Sequence, residues 1–209
     1  MKLLAYEVDK RPFLGVFNEN ETWAYPISAA GMEYRSMKDL IREAGPSEME
    51  MLDYISKKAP GDVTGAAPVE EIKIVSPIPE PDQDIICLGI NYMDHAAESA
   101  RFQKEEFARP EKAIYFSKRV NRTNDPDGII PAHKNLTNQL DYEAELAVII
   151  KKDAKDVKPE EVKDYIFGYT IMNDVSAREV QTEHKQWYFG KSLDGFTPLG
   201  PCIMTVDST

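Results

Sequence analysis

The stretch LDYEAELAVII, residues 140–150, decides how the rest of the chain is interpreted. In a β-strand, successive side chains point to opposite faces of the sheet. Glu143 and Glu145 therefore share one face, about 6.6 Å apart at a rise of about 3.3 Å per residue. Apolar residues follow them directly, as far as Ile150. This pattern predicts a strand that enters a hydrophobic core and carries two carboxylates at its mouth.

Two carboxylates in such a place repel each other and lose hydration unless a positive charge neutralises them. A hard divalent cation can do so, because Mg²⁺, Mn²⁺ and Ca²⁺ prefer oxygen ligands. An isolated Glu-x-Glu is nevertheless more typical of a strand whose acidic edge faces water. The pair alone leaves both interpretations open.

A third carboxylate strengthens the metal hypothesis. The segment GYTIMNDV, residues 168–175, is typical of a strand and carries Asp174 at its end. Ser176 and Glu179 form a capping-box pattern, which predicts a helix over 177–187 whose positive pole lies beside Asp174. If the two strands are neighbours, Glu143, Glu145 and Asp174 supply three oxygens and leave about three positions of an octahedron for water or substrate.

The segment GINYMDHAAE, residues 89–98, offers a second group of candidates. Residues 94–100 have the composition of a helix, which places His95 and Glu98 on one side of a turn. A surface contact without any role has the same spacing, so this pair also stays open. With three histidines in the chain and no cysteine pair at ligand spacing, a zinc site is disfavoured.

The chain divides into two predicted units. Residues 1–70 contain three short strands and two short helices that begin near Ser36 and Ser47, which is typical of a small α+β domain. Prolines 77, 79 and 81 favour an extended connector. We therefore predict a small N-terminal domain at 1–70, a second domain at 71–209, and a fold that is α+β but predominantly β.

Composition excludes several classes of partner. The net charge is −11 and no basic cluster is interleaved with aromatic residues, which argues against nucleic acid or an anionic membrane. No apolar run reaches the roughly 20 residues that span a bilayer, and the start, MKLLAYEVDK, becomes polar too soon for a secretory signal. Cys87 and Cys202 lie in apolar segments typical of reduced thiols. These features predict a cytoplasmic protein.

Four segments together resemble the successive signatures of the fumarylacetoacetate hydrolase family. They are GINYMDHAAE, LDYEAELAVII, GYTIMNDVSAREVQ and GKSLDGFTPLGP, and the resemblance covers about residues 72–209. It implies a mixed β-roll or barrel catalytic domain behind a small N-terminal domain. Family members normally continue beyond the point that corresponds to Thr209, so we expect the catalytic domain to be incomplete at its C-terminus.

The resemblance also assigns roles, position by position. It makes Glu143, Glu145 and Asp174 ligands of Mg²⁺ or Mn²⁺, with Ca²⁺ able to take their place in a crystal. His95 and Glu98 match a dyad that prepares a water molecule.

Two further positions match residues that hold the oxygens of the substrate, Gln181 and Lys191. Lys191 would add positive charge where an enolate develops. Arg178 matches the motif as well, with a role that can be purely structural.

The implied activity is metal-dependent hydrolysis of a C–C bond in an acylpyruvate-like 2-oxo acid, through an enolate bound to the metal, as in aromatic catabolism. Oxaloacetate decarboxylation and isomerisation of a 2-hydroxyhepta-2,4-diene-1,7-dioate type of substrate remain open on the same centre. A non-catalytic metal-binding homologue and a structural cation site are the alternatives of another class, and the presence of His95, Glu98 and Lys191 argues against the first of these. The family also implies a homodimer that acts on small molecules.

Overall fold

The computed structural model describes residues 1–91 and 112–206, which contain mostly strands and few helices. The strands are β1 (Lys2–Val8), β2 (Arg11–Phe17), β3 (Trp23–Pro26), β4 (Ala67–Pro68), β5 (Lys73–Val75), β6 (Ile85–Gly89), β7 (Ile114–Lys118), β8 (Leu140–Asp141), β9 (Ala144–Ile150), β10 (Ile166–Asn173), β11 (Ser176–Ala177) and β12 (Leu199–Thr205). The α-helices are α1 (Met37–Glu43), α2 (Pro46–Ser56), α3 (Arg178–Glu183) and α4 (Tyr188–Lys191). Short 3₁₀ turns lie at Ile27–Ala30, Pro60–Asp62, Val69–Glu71 and Pro159–Asp164. The prediction of a predominantly β fold is confirmed.

One antiparallel sheet organises the described residues. Its order is β4-β3-β2-β1-β12-β10-β9, and β5 pairs with β1. Two smaller sheets, β6–β7 and β8–β11, complete the strand pairing. Over residues 1–91 and 112–206 these sheets are open and do not close into a barrel.

The sheet crosses the boundary that the sequence predicts near residue 70. The first residues of β1, Lys2 and Leu3, pair with Met204 and Ile203 of β12. Helices α1 and α2 cover one face of the sheet, and their apolar residues share a core with Phe167 and Ile203. The division into 1–70 and 71–209 stays a prediction, and the two parts have one core in common.

Helix α1 begins as its sequence predicts, because the Ser36 hydroxyl accepts a hydrogen bond from the Asp39 N–H at 3.2 Å. Helix α2 begins at Pro46 instead of after Ser47. A proline suits the first helical position, where its missing N–H costs nothing. The Glu48 carboxylate then accepts a bond from the Gly45 N–H at 2.8 Å.

The predicted strand 140–150 is broken in two. Tyr142 and Glu143 lie between β8 and β9, and β9 is the last strand of its sheet. As a result Val148 and Ile150 are about half exposed, while Ile149 on the other face packs against the core. The expectation that this strand enters a core is therefore right for one face and wrong for the other.

The predicted helix 177–187 is also divided. Ser176 belongs to β11 and its hydroxyl donates to the Asp174 carbonyl at 3.3 Å, so it does not cap a helix. Glu179 accepts from Thr137 and from the Asn138 N–H instead of closing a capping box. Helix α3 then ends at Glu183 and α4 begins at Tyr188, which places Lys191 at the end of a helix instead of in a loop.

The hairpin β6–β7 packs against α4. The ring of Phe116 on β7 meets the ring of Trp187 edge-on, with centroids 5.3 Å apart. Gly89 lies so close to Trp187 that a Cβ atom there would come within 2.4 Å of the indole. None of the helices in the described residues has the length and apolarity that crossing a membrane requires.

Candidate active site

Two of the predicted acidic residues are joined through the backbone. The Asp174 N–H donates to the Glu143 carbonyl at 2.8 Å, and the Glu143 N–H donates to the Asn173 side chain at 3.1 Å. The register of β9 and β10 brings Ala144 opposite Asn173. The break between β8 and β9 therefore places the Glu143 carboxylate beside the end of β10, where Asp174 lies.

Lys191 connects the same two carboxylates. Its Nζ lies 2.7 Å from Glu143 Oε2 and 2.6 Å from Asp174 Oδ2. The two oxygens are thus at most 5.3 Å apart, the sum of these contacts. The Lys191 side chain is 3% exposed, and its ammonium also lies 5.2 Å from the centre of the Phe116 ring.

A glycine allows this placement. Helix α4 approaches α3 so closely that a Cβ atom on Gly190 would lie 2.6 Å from the backbone nitrogen of Gln181. Any other residue would push α4 outward and move Lys191 with it. The close approach of α4 to α3 therefore requires glycine at position 190.

Lys118 is a site residue that the sequence analysis missed. Its Nζ donates to Asp174 Oδ1 at 2.7 Å and to the Val175 carbonyl at 3.2 Å, and its side chain is fully buried. Burial lowers the pKa of Lys118, while the Asp174 carboxylate opposes this shift. The sequence signal was a lysine that ends the apolar strand IYFSK on the same face as Phe116, but that pattern does not reveal a partner.

Arg178 holds the other side of the cluster. Its guanidinium lies 2.7 Å from Asp141 Oδ2 and 2.6 Å from Glu143 Oε1. It also donates to the Gln181 side-chain oxygen at 3.0 Å. Gln181, predicted to bind substrate, is thus oriented by Arg178.

Glu145 lies on the partly buried face of β9, opposite Met172 of β10. Burial raises the pKa of Glu145, and the charges of Glu143 and Asp174 raise it further. A hydrogen bond from the Asn91 side chain acts in the opposite direction. Asn91 is a second contact that the sequence analysis did not predict.

Among the residues that the structure describes, the cluster contains four carboxylates, Asp141, Glu143, Glu145 and Asp174, and three cations, Lys118, Arg178 and Lys191. Glu143 and Asp174 each have one oxygen on Lys191 and the other on a different cation. The predicted dyad, His95 and Glu98, lies outside the described residues.

The donor chemistry of the cluster fits a hard cation, since its carboxylate oxygens converge on a positive charge. Within 1–91 and 112–206, however, no group of three or more His, Cys, Asp or Glu side chains has the arrangement of a metal site. In this structure the oxygens of Glu143 and Asp174 are directed at ammonium and guanidinium groups. The roles of Glu143, Glu145 and Asp174 as ligands stay predictions.

Comparison with known proteins identifies the family. The model of the C-terminal region of fumarylacetoacetate (FAA) hydrolases matches residues 84–209, more than half of the chain. The chain belongs to the fumarylacetoacetate hydrolase family. The resemblance inferred from the four sequence segments is thereby confirmed.

Three relatives illustrate the range of this enzyme family. Oxaloacetate tautomerase YisK of Bacillus subtilis is 42% identical over 149 residues, which cover 70% of this chain and 48% of that protein. The chain therefore spans about half the length of this curated relative. The structure of the fumarylacetoacetate hydrolase of Exiguobacterium antarcticum superimposes with a TM-score of 0.77 at 33% identity. The match covers 100% of this chain and 68% of that structure.

The third relative is the maleylpyruvate hydrolase of Sphingobium sp. SYK-6, solved in complex with manganese(II) and pyruvate. It has a TM-score of 0.67 at 25% identity, over 100% of this chain and 69% of that structure. Together these comparisons confirm the predicted family fold. The relatives named here include hydrolases and a tautomerase.

Proposed function

We propose that this protein is a divalent-metal-dependent enzyme that hydrolyses a C–C bond in an acylpyruvate-like 2-oxo acid. The observation that carries the proposal is the convergence of Glu143 Oε2 and Asp174 Oδ2 on one buried positive charge, the Lys191 ammonium. A hydrolase relative that contains manganese(II) and pyruvate, a 2-oxo acid, supports it.

Glu143, Glu145 and Asp174 would hold the cation, which we expect to be Mg²⁺ or Mn²⁺. A cation held there supplies positive charge to the oxygens of a 2-oxo acid. The cation would also stabilise the ionised carboxylates, because Glu145 is partly buried and lies beside two other acids, Glu143 and Asp174. Lys191 must then leave at least one of its two carboxylate contacts.

Once released from one carboxylate, the Lys191 ammonium would donate a hydrogen bond to a substrate oxygen on which negative charge develops. Gln181 would orient the substrate through its amide group, while Arg178 fixes the side chain of Gln181. His95 would take a proton from the attacking water, with Glu98 orienting the imidazole ring.

A second candidate reaction is the tautomerisation of oxaloacetate. The relative with 42% identity is an oxaloacetate tautomerase, and tautomerisation moves a proton next to a 2-oxo group without consuming water. The same carboxylates and Lys191 would serve that reaction. Oxaloacetate decarboxylation and isomerisation of a diene dioate belong to the same group of proposals.

We also propose that the protein acts as a homodimer. Apolar side chains on the β6–β7 hairpin and on β10 of the main sheet support this: Ile86 is 71% exposed, Tyr115 69% and Ile171 60%. Light scattering at micromolar concentration is expected to give the mass of two chains. A single-chain mass would contradict this part of the proposal.

The function is tested with a panel of acylpyruvates, maleylpyruvate and oxaloacetate, assayed with Mn²⁺, with Mg²⁺ and after chelation. We expect turnover that chelation abolishes and Mn²⁺ restores, and that is lost in Asp174→Asn. The exposed Glu160→Gln is the control and should keep full activity. If a cation binds and no 2-oxo acid is turned over, the site is structural and the proposal fails.

A further inference from the structure

Lys118 occupies an unusual position for a lysine. It ends β7, yet its side chain is fully buried, and it reaches across to the end of β10. Burying an ammonium is costly unless it is paired and hydrogen-bonded. Its bonds go to Asp174 Oδ1 and to the carbonyl of the next residue, Val175. Both acceptors belong to residues 174–175. Lys118 therefore fixes the backbone of this segment as well as neutralising the Asp174 carboxylate.

The two carboxylate oxygens of Asp174 have different partners. Oδ1 is bonded to Lys118, and Oδ2 is bonded to Lys191. The two lysines come from different elements, β7 and α4. Lys118 has a second acceptor in Val175, whereas the other contacts of the Lys191 ammonium are Glu143 and the face of Phe116.

Both acceptors of Lys118 therefore lie in one segment, residues 174–175, whereas Lys191 bridges two carboxylates from separate segments. The Val175 carbonyl keeps the Lys118 ammonium at Oδ1 whether or not Oδ2 changes its partner. The Glu143 carboxylate is held less rigidly than Asp174. Its second partner, Arg178, is 29% exposed and also forms an ion pair with Asp141.

We propose that Lys118 is a positioning residue that keeps Asp174 Oδ1 occupied, so that Asp174 offers a single oxygen, Oδ2, to a divalent cation. The inference rests on the proposed metal site and concerns its selectivity. A carboxylate limited to one oxygen suits the octahedral geometry of Mg²⁺ and Mn²⁺. Ca²⁺ takes more oxygens at longer distances and readily uses bidentate carboxylates. Lys118 thus disfavours Ca²⁺ at this site.

The test measures Mg²⁺ and Ca²⁺ affinities by calorimetry for the wild type, Lys118→Met and Lys118→Arg. Loss of a lysine charge changes the attraction for both ions, which carry equal charge, so the ratio of their dissociation constants isolates geometry. In Lys118→Met, whose side chain cannot donate, we expect the preference for Mg²⁺ over Ca²⁺ to fall by about tenfold, the lower end of the effects of residues that orient metal ligands. Lys118→Arg keeps N–H donors and should keep a ratio close to that of the wild type.

The neighbouring Arg119→Met is the matched control. It removes a cation next in sequence whose ion-pair partner, Asp84, lies outside the cluster, and it should leave the ratio unchanged. An unchanged ratio in folded Lys118→Met, or the same shift in both Lys118 variants, would overturn the role of Lys118 while the metal site stands. Absence of divalent binding to the wild type would overturn both.

If Lys118→Met does not fold, crystals of the wild type grown with Ca²⁺ decide the question. We expect Asp174 to bind Ca²⁺ through one oxygen, with Oδ1 still on the Lys118 ammonium. Both Asp174 oxygens on the ion would refute the inference.

Discussion

Replacing Lys191 by methionine removes the cation that joins Glu143 and Asp174 and keeps a side chain of similar length. Glu143 Oε2 and Asp174 Oδ2, which the Lys191 ammonium bridges, lie at most 5.3 Å apart. At an effective dielectric constant of about 20, two unit charges at this distance repel by about 3 kcal/mol. This agrees with the roughly 3–5 kcal/mol measured when one partner of a buried ion pair is removed.

The expected result is a less stable protein that responds more strongly to a divalent cation. For a chain of this size a loss of about 3 kcal/mol lowers the melting temperature by roughly 6–12 °C. Mn²⁺ should restore more of that loss in Lys191→Met than it adds to the wild type, because in the wild type the ion competes with the Lys191 ammonium. Turnover should fall, since the group that stabilises the developing charge is gone.

Thermal unfolding with chelator and with Mn²⁺ measures both effects. Lys57→Met is the matched control, because Lys57 forms an exposed ion pair with Asp53, and such pairs contribute little to stability. If Lys191→Met melts with the wild type in chelator, and Mn²⁺ shifts both proteins equally, the assignment of Lys191 as the exchangeable cation is refuted.

Three further predictions concern the same cluster. Burial, and then the charges of Glu143 and Asp174, raise the pKa of Glu145, so in the cation-free protein this residue should contribute a loss of stability as the pH rises above its ordinary value of 4.5. In pH-dependent unfolding, the stability of Glu145→Gln relative to the wild type should therefore increase as the pH rises through this range, and a constant difference would contradict this. The same variant should show a sharp loss of activity that excess Mn²⁺ only partly restores. Arg178→Lys keeps the charge but cannot bridge Asp141 and Glu143 in the same way, so we expect calorimetry to show Mn²⁺ affinity about 10-fold weaker, and an affinity equal to the wild type would argue against an orienting role. His95→Ala should abolish cleavage of acylpyruvates and spare oxaloacetate decarboxylation in steady-state assays; near-normal cleavage would remove His95 from the mechanism.

Part of the clustering of these side chains was predictable because it depends on local patterns. Alternation in the stretch 140–150 predicts that Glu143 and Glu145 share one face, although Glu143 lies in the break between β8 and β9, and Asp174 follows an apolar strand as predicted. The pairing of β9 with β10 then brings these residues together. The prediction of Asp174 beside a helix pole was less accurate, since Ser176 pairs in β11 and the neutralising groups are Lys118 and Lys191.

The parts that could not be predicted depend on long-range contacts. Lys118 forms a hydrogen bond with Asp174, which lies 56 positions later in the sequence, and no local pattern around Lys118 predicts that partner. Likewise, Val148 and Ile150 follow an alternating apolar pattern, but their exposure is set by the place of β9 at the end of the sheet. A local pattern gives the face of a strand, and only the sheet order tells whether that face is covered.

The most direct test of the central claim is the position of a bound cation in crystals grown with Mn²⁺, located by its anomalous scattering. We expect one peak at about 2.1–2.2 Å from oxygens of Glu143, Glu145 and Asp174, as for other small hard cations, with the Lys191 ammonium moved away from at least one of its carboxylates. A structure in which Mn²⁺ is absent from this cluster at saturating concentration, with Lys191 still bonded to both Glu143 and Asp174, would contradict the account.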